Sequence, residues 1–225
     1  MINNYLQFSR VAGALIILGI ITGVLSIVPS VESEKYLEEV YLNQSQVFTG
    51  AIFQFFLIPI YIGFSLLLYP ILKQFNESLS IGFVGFRFMA GVFQLIGILL
   101  LPIFVVLSQM YATAPSTELG FYKSLGEVLR VFRDLTNHLG VIVSTGLGNL
   151  LFYTILFREK LIPQWLSIWG VVGNIILIVA GFLIMFQEIQ VVSKAYGLLA
   201  APLVLQEIVL AILLILKGLK ISSKT

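Results

Sequence analysis

Glu127, Arg130, Asp134 and His138 recur three or four residues apart, the interval that stacks side chains on one helix face, with Arg133 and Asn137 beside them. A carboxylate and an imidazole at i, i+4 could ligate one metal ion, or the aspartate could orient the ring for general-base work. A catalytic zinc normally takes three protein ligands, and the chain offers one histidine and no cysteine, so no metal and no cofactor are expected. No nucleophile elbow for a serine triad and no phosphate-binding glycine loop is present. The stripe therefore reads as a hydrated vestibule or an interhelical hydrogen-bond network. Arg130 and Arg133 would draw in an anion or lipid headgroup, and Asp134 with His138, one turn deeper, would orient it or accept a proton. His138 would then be the pH-sensitive element.

Arg87 and Glu207 form a second set, because each interrupts an otherwise apolar run. An ionisable group at membrane depth costs about 2.5 to 3.5 kcal/mol on insertion scales and is usually paired or functional. At a rise of 1.5 Å per residue, Arg87 lies about 9 Å past Ile81 and Glu207 about 13 Å before Leu216, measured from the same face. The matching depths predict an ion pair tying the third crossing to the sixth, or a substrate or proton-coupling site. Gln54, Gln94 and Gln206 could extend either network.

These residues need elements to hold them, and composition says in which solvent. The 225 residues are 59% hydrophobic and 11% charged, with a mean hydropathy of +1.03, which excludes a soluble enzyme. A net charge of +2 without a basic run argues against nucleic acid, and the absence of cysteine excludes disulfides and thiolate chemistry. Six apolar runs are long enough to cross a bilayer: 11–28, 47–72, 81–108, 125–157, 166–186 and 195–216. The expected fold is an all-α bundle of six transmembrane helices forming a single integral membrane domain over 1–225.

Six crossings place both termini on one side. With the amino terminus inside, the inner segments hold Arg10, Lys73, Arg158, Lys160, Lys217, Lys220 and Lys224, and the outer loops hold Lys35, Lys123 and Lys194, so both termini are expected in the cytoplasm. Trp165 and Trp169 suit an anchor at the inner face. In the first outer loop the spacing of Tyr36, Leu37, Val40 and Tyr41 against four glutamates predicts a short amphipathic helix on the surface, or an irregular turn. Ser124 and Glu127 have capping-box spacing, which predicts a fourth helix starting near Leu125 and running unbroken to Phe157. Gly19 with Gly23, and Ser144 with Gly148, predict close helix contacts.

Five stretches in order carry a resemblance that spans nearly the whole chain. They are Arg10-Val-Ala-Gly13, Gly82-Phe-Val-Gly-Phe-Arg87, Arg133-Asp-Leu-Thr-Asn-His138, Leu161-Ile-Pro-Gln-Trp-Leu-Ser-Ile-Trp-Gly170, and Gln206-Glu207 before Lys217-Gly218. Together they resemble the bacterial membrane proteins of the domain-of-unknown-function 4386 family. The resemblance implies six helices in a bacterial cytoplasmic membrane and implies no activity. That family often carries a carboxylate one turn after the third-helix arginine, where this chain has Ala90.

The resulting expectation is a multipass inner-membrane protein, surrounded by lipid, that binds a small molecule, ion or lipid at a polar interhelical site for transport or sensing. Candidate binding residues are Arg87, Arg130, Arg133, Asp134, Asn137, His138 and Glu207. The rivals are a membrane-embedded enzyme using Asp134 and His138, and a structural or regulatory subunit of a membrane complex.

Overall fold

The structure, a computed structural model, describes residues 2–191 and 193–220. Lys224, one of the cations counted for topology, lies outside them. Six helices are long and apolar enough to cross a membrane. They are α1 (Ile2–Leu25), α4 (Gln44–Leu72), α5 (Glu77–Thr113), a 40-residue crossing over Leu119–Arg158, α8 (Gln164–Met185) and α9 (Lys194–Leu216). The fourth crossing comprises α6 (Leu119–Asp134), a π-helical segment (Leu135–Val141) and α7 (Ile142–Arg158). Two single-turn helices, α2 (Pro29–Glu32) and α3 (Tyr36–Glu39), fill the first connection. No strand occurs among the described residues.

The crossings close into a ring in which α1 packs on α4, α4 on α5, α5 on α7, α7 on α8, α8 on α9, and α9 back on α1. A glycine stands at each seam and leaves room there for the neighbouring helix. A Cβ on Gly13 would lie 2.7 Å from the carbonyl of Ala211, on Gly91 3.3 Å from Ile58, on Gly148 3.0 Å from Phe86, and on Gly173 3.1 Å from Leu203. Gly170 leaves room for the Tyr153 ring, 2.5 Å from a Cβ there. In lipid, where apolar burial gives helices little reason to associate, such small-residue seams supply the van der Waals contact that holds them together. Of the expected GxxxG pair, Gly19 meets the Tyr61 ring at 3.1 Å, whereas Gly23 faces open space.

Local signals set the helix ends. The Asn76 side chain accepts from the Leu79 amide at 2.9 Å and opens α5, and the Ser193 hydroxyl accepts from the Tyr196 amide at 3.2 Å and opens α9. After α9, Gly218 takes a left-handed φ of 67°, a conformation glycine adopts without strain. The chain then turns so that the Leu219 amide donates to the Ser9 hydroxyl and the Lys220 amide to the Leu161 carbonyl. Both ends of the described chain therefore lie at one end of the bundle.

The opposite end differs from expectation in two ways. The fourth crossing begins at Leu119, so Ser124 and Glu127 lie inside a helix and form no capping box. The first connection is amphipathic as expected, in two single-turn helices, but its apolar side is packed into the bundle instead of resting on the surface. Its apolar residues Val28, Val31, Tyr36, Leu37 and Val40 are buried against Leu100, Leu101, Phe104 and Leu107 of α5. Ser108 fastens it, donating to the Leu37 carbonyl at 2.7 Å and accepting from the Tyr41 amide at 3.0 Å. The glutamates between these residues stay at the rim, because an unpaired carboxylate costs too much to bury.

Charge separates along the bundle. The terminus-bearing end carries Arg10, Lys73, Arg158, Lys160, Lys217 and Lys220 against Glu77 and Glu159. The other end carries Lys35, Lys123, Arg130, Arg133 and Lys194 against Glu32, Glu34, Glu38, Glu39, Glu118, Glu127, Asp134 and Glu188. One end is cationic and the other acidic.

Candidate functional site

The bundle holds two polar cavities at different depths. The deeper one is a small cavity of about 20 Å³ whose lining includes Leu15 and Ile16 of α1, Tyr61 of α4, Arg87 of α5, Asn149 and Tyr153 of α7, and Glu207 of α9. A space of this size with several polar partners suits a single water. Arg87 is only 5% exposed. Its Nη2 donates to Asn149 Oδ1 at 2.5 Å, Asn149 Nδ2 donates to Asn174 Oδ1 at 2.9 Å, and Asn174 Nδ2 donates to the Gly170 carbonyl at 2.7 Å. The guanidinium also lies 5.4 to 5.6 Å from the centroids of the Tyr61, Phe64 and Phe83 rings, so cation–π attraction replaces part of its lost hydration.

The expected ion pair of Arg87 with Glu207 does not form. Both side chains face the same cavity, as their matched depths required, yet no nitrogen of Arg87 comes within 4.0 Å of the carboxylate. The reason is competition: Asn149 and three rings already hold the guanidinium. Gln206 points away from Arg87, accepting from the Tyr153 hydroxyl at 2.8 Å and donating to the Leu166 carbonyl at 3.3 Å. Gln54 donates to the Ser26 carbonyl at 3.1 Å, at the acidic end.

The second region is a vestibule of about 740 Å³ at the acidic end, lined by Glu32, Glu34, Glu127, Arg130, Asp134, the end of α8 at Ile184 and Met185, and Gln187, Ile189, Gln190 and Val191 beyond it. Arg133 lies behind it, 5% exposed, and its Nη1 is bonded to the Glu32 carboxylate. Arg130 stands 4.0 Å from Glu127 and over the Tyr36 ring at 4.9 Å from its centroid. The Tyr36 hydroxyl donates to Glu127 at 3.4 Å. Burial, reinforced by the Glu127 charge and opposed by Arg130, pushes the Tyr36 phenol up to about 12.

The sequence stripe does not survive as one face. Glu127, Arg130 and Asp134 line the vestibule. Asn137 instead packs into the gap left by Gly97 on α5, its Oδ1 buried without a partner, and the His138 ring sits edge-on to Tyr196 of α9, 5.6 Å between centroids. No ion pair within 4.0 Å joins Asp134 to His138. The π segment explains the break: its wider turn closes i→i+5 bonds, so residues four apart no longer stack. The segment is accommodated by glycines on two neighbours, Gly97 on α5 and Gly181 on α8, where a Cβ would lie 2.8 Å from the His138 carbonyl. Among the described residues, no three of His, Asp or Glu converge on a point that could hold a metal.

Residues 11–218 match the family described as Domain of unknown function (DUF4386). The chain belongs to that family. No curated protein and no solved structure matches it. Membership and the six apolar helices together make this DUF4386 chain a multipass membrane protein.

Within this DUF4386 member, charged residues mark both polar cavities, but the neutral partners of Arg87 carry no charge to mark them. Asn149, Tyr153 and Tyr61 line the cavity with Arg87 and Glu207, and Asn174 holds Asn149, yet all four lie in runs that count as uncharged. An asparagine in such a run was the available signal, because an amide without partners is itself costly in hydrocarbon.

Proposed function

We propose that this protein binds a small cationic solute in its acidic vestibule, for transport or sensing, within a bacterial cytoplasmic membrane. The observation that carries the reading is the lining: four carboxylates, Glu32, Glu34, Glu127 and Asp134, face the cavity or its wall against the guanidiniums of Arg130 and Arg133. Glu32 and Arg133 neutralise each other, and Glu127 is engaged by Arg130 and Tyr36. Glu34 and Asp134 remain to meet a positive group. This reverses the anion preference that two arginines suggest in the sequence. A binding role, rather than acid–base catalysis, accords with the absence of an ion pair between Asp134 and His138.

The bilayer is the first partner of this reading, since exposed Ile52, Phe55, Leu99, Val172 and Ile212 form an apolar exterior suited to acyl chains. The cationic terminus-bearing end supports cytoplasmic termini and a vestibule facing outward. A reporter fused after Lys220 that is active only outside the cytoplasm would overturn that orientation.

Thermal unfolding of the purified protein with tetraethylammonium, against sodium chloride at equal ionic strength, tests the site. Stabilisation by the organic cation is expected for the wild type and for His138→Ala. It should fall at least fivefold in apparent affinity in the Glu34→Gln, Asp134→Asn double variant. Equal stabilisation of wild type and double variant, or stabilisation by benzoate instead, defeats the proposal.

A further inference from the structure

We infer that the central cavity is a proton-binding site, with Glu207 the proton acceptor and Arg87 a fixed positive charge on the same cavity, more than 4.0 Å from the carboxylate. The inference concerns a different cavity from the vestibule and stands independently of the cation reading.

A salt bridge that only locks helices together places its carboxylate directly on the guanidinium, because short charge-assisted bonds are what offset the desolvation of both groups. Here that contact is absent. Arg87 spends Nη2 on Asn149, turns its faces to Tyr61, Phe64 and Phe83, and leaves Nε buried without a partner. Glu207 receives no hydrogen bond from any described residue, although it is partly buried at the middle of α9. The cavity that both groups line, about 20 Å³, suits a water that could bridge the two groups and relay a proton to the carboxylate.

Every helix packed around the site limits what else could titrate there. Tyr61 comes from α4, Arg87 from α5, Tyr153 from α7 and Glu207 from α9, while α1 offers Leu15 and Ile16 and α8 offers only the amide of Asn174. The Tyr153 hydroxyl already donates to Gln206. Guanidinium stays charged at all ordinary pH, so Glu207 is the group here that can take up and release a proton. With Glu207 ionised, the charges in the cavity cancel. With Glu207 protonated, the guanidinium charge in the cavity is uncompensated, so proton occupancy sets the net charge at bilayer depth.

Infrared spectroscopy of the full-length protein in lipid, titrated from about pH 4 to pH 9, reads this directly. A protonated-carboxyl C=O band should appear and disappear across that range, be absent in Glu207→Gln, and persist in Asp134→Asn. In Arg87→Gln the midpoint should rise by about one pH unit or more, a tenfold gain in proton affinity, because the opposing positive charge is gone. Should Glu207→Gln fail to fold, Glu207→Asp serves, with the same band displaced in frequency. A wild type with no titrating carboxyl band, a band that Glu207→Gln leaves intact, or a midpoint indifferent to Arg87→Gln would each overturn the inference.

Discussion

Arg87 on α5 is bonded to Asn149 on α7 at 2.5 Å and not to the carboxylate of Glu207, which faces the same cavity. A neutral amide thus anchors the most deeply placed cation, and the asparagine is itself fixed by Asn174 at 2.9 Å. The chain Arg87–Asn149–Asn174 ends on the Gly170 carbonyl and so stitches α5, α7 and α8 at one level.

Replacing Asn149 by Leu strands a buried guanidinium and also removes the donor to Asn174. A loss of about 1.5 to 3 kcal/mol is expected, the worth of a hydrogen bond to a charged group. Reversible unfolding in mixed micelles measures it. A change below about 0.5 kcal/mol would show that the ring faces alone hold Arg87.

The Arg133–Glu32 pair joins the π-bearing crossing to the α2 turn, with side chains only 6% and 21% exposed. Glu32→Gln leaves an uncompensated charge and should cost about 3 to 5 kcal/mol. The double variant Glu32→Gln, Arg133→Met should recover most of that loss, since an apolar side chain of similar volume needs no partner. A double-mutant cycle with no coupling between the positions contradicts the account.

At Gly97 any Cβ collides with the Asn137 side chain, whose amide fills the gap. Gly97→Ala should therefore destabilise by about 1 to 3 kcal/mol, the usual cost of overpacking. Adding Asn137→Ala makes room for the methyl group and should restore much of it. Failure of that rescue would locate the strain elsewhere than in the π segment.

Tyr36 makes a prediction in alkali. Its phenol is pushed up to about 12 from an ordinary 10.0, first by burial and then by the charge of Glu127. A folded value above the unfolded one means that its contribution to stability is complete below pH 10 and is lost as pH rises through 12. In a tyrosinate absorbance titration, the difference between wild type and Tyr36→Phe should rise near 12, and Glu127→Gln should move that rise toward 10. A difference curve centred at 10 would show the hydroxyl to be solvated.

The sequence by itself determined that this is a six-crossing membrane protein, because runs of about 20 apolar residues are required by the thickness of hydrocarbon and have no other stable use. It also determined that Arg87 and Glu207 lie at one depth, since helical rise is fixed once the ends are known. Partner choice was a matter for tertiary structure. Whether Arg87 reaches a carboxylate or an amide depends on the rotation of four helices about their axes, which the glycine seams of the ring set and which no single-helix periodicity contains. The stripe from Glu127 to His138 was read at the α-helical interval, and the π turn from Leu135 to Val141 broke it. Room for that turn comes from Gly97 on α5 and Gly181 on α8, residues about 40 positions away in the chain that only packing brings to it.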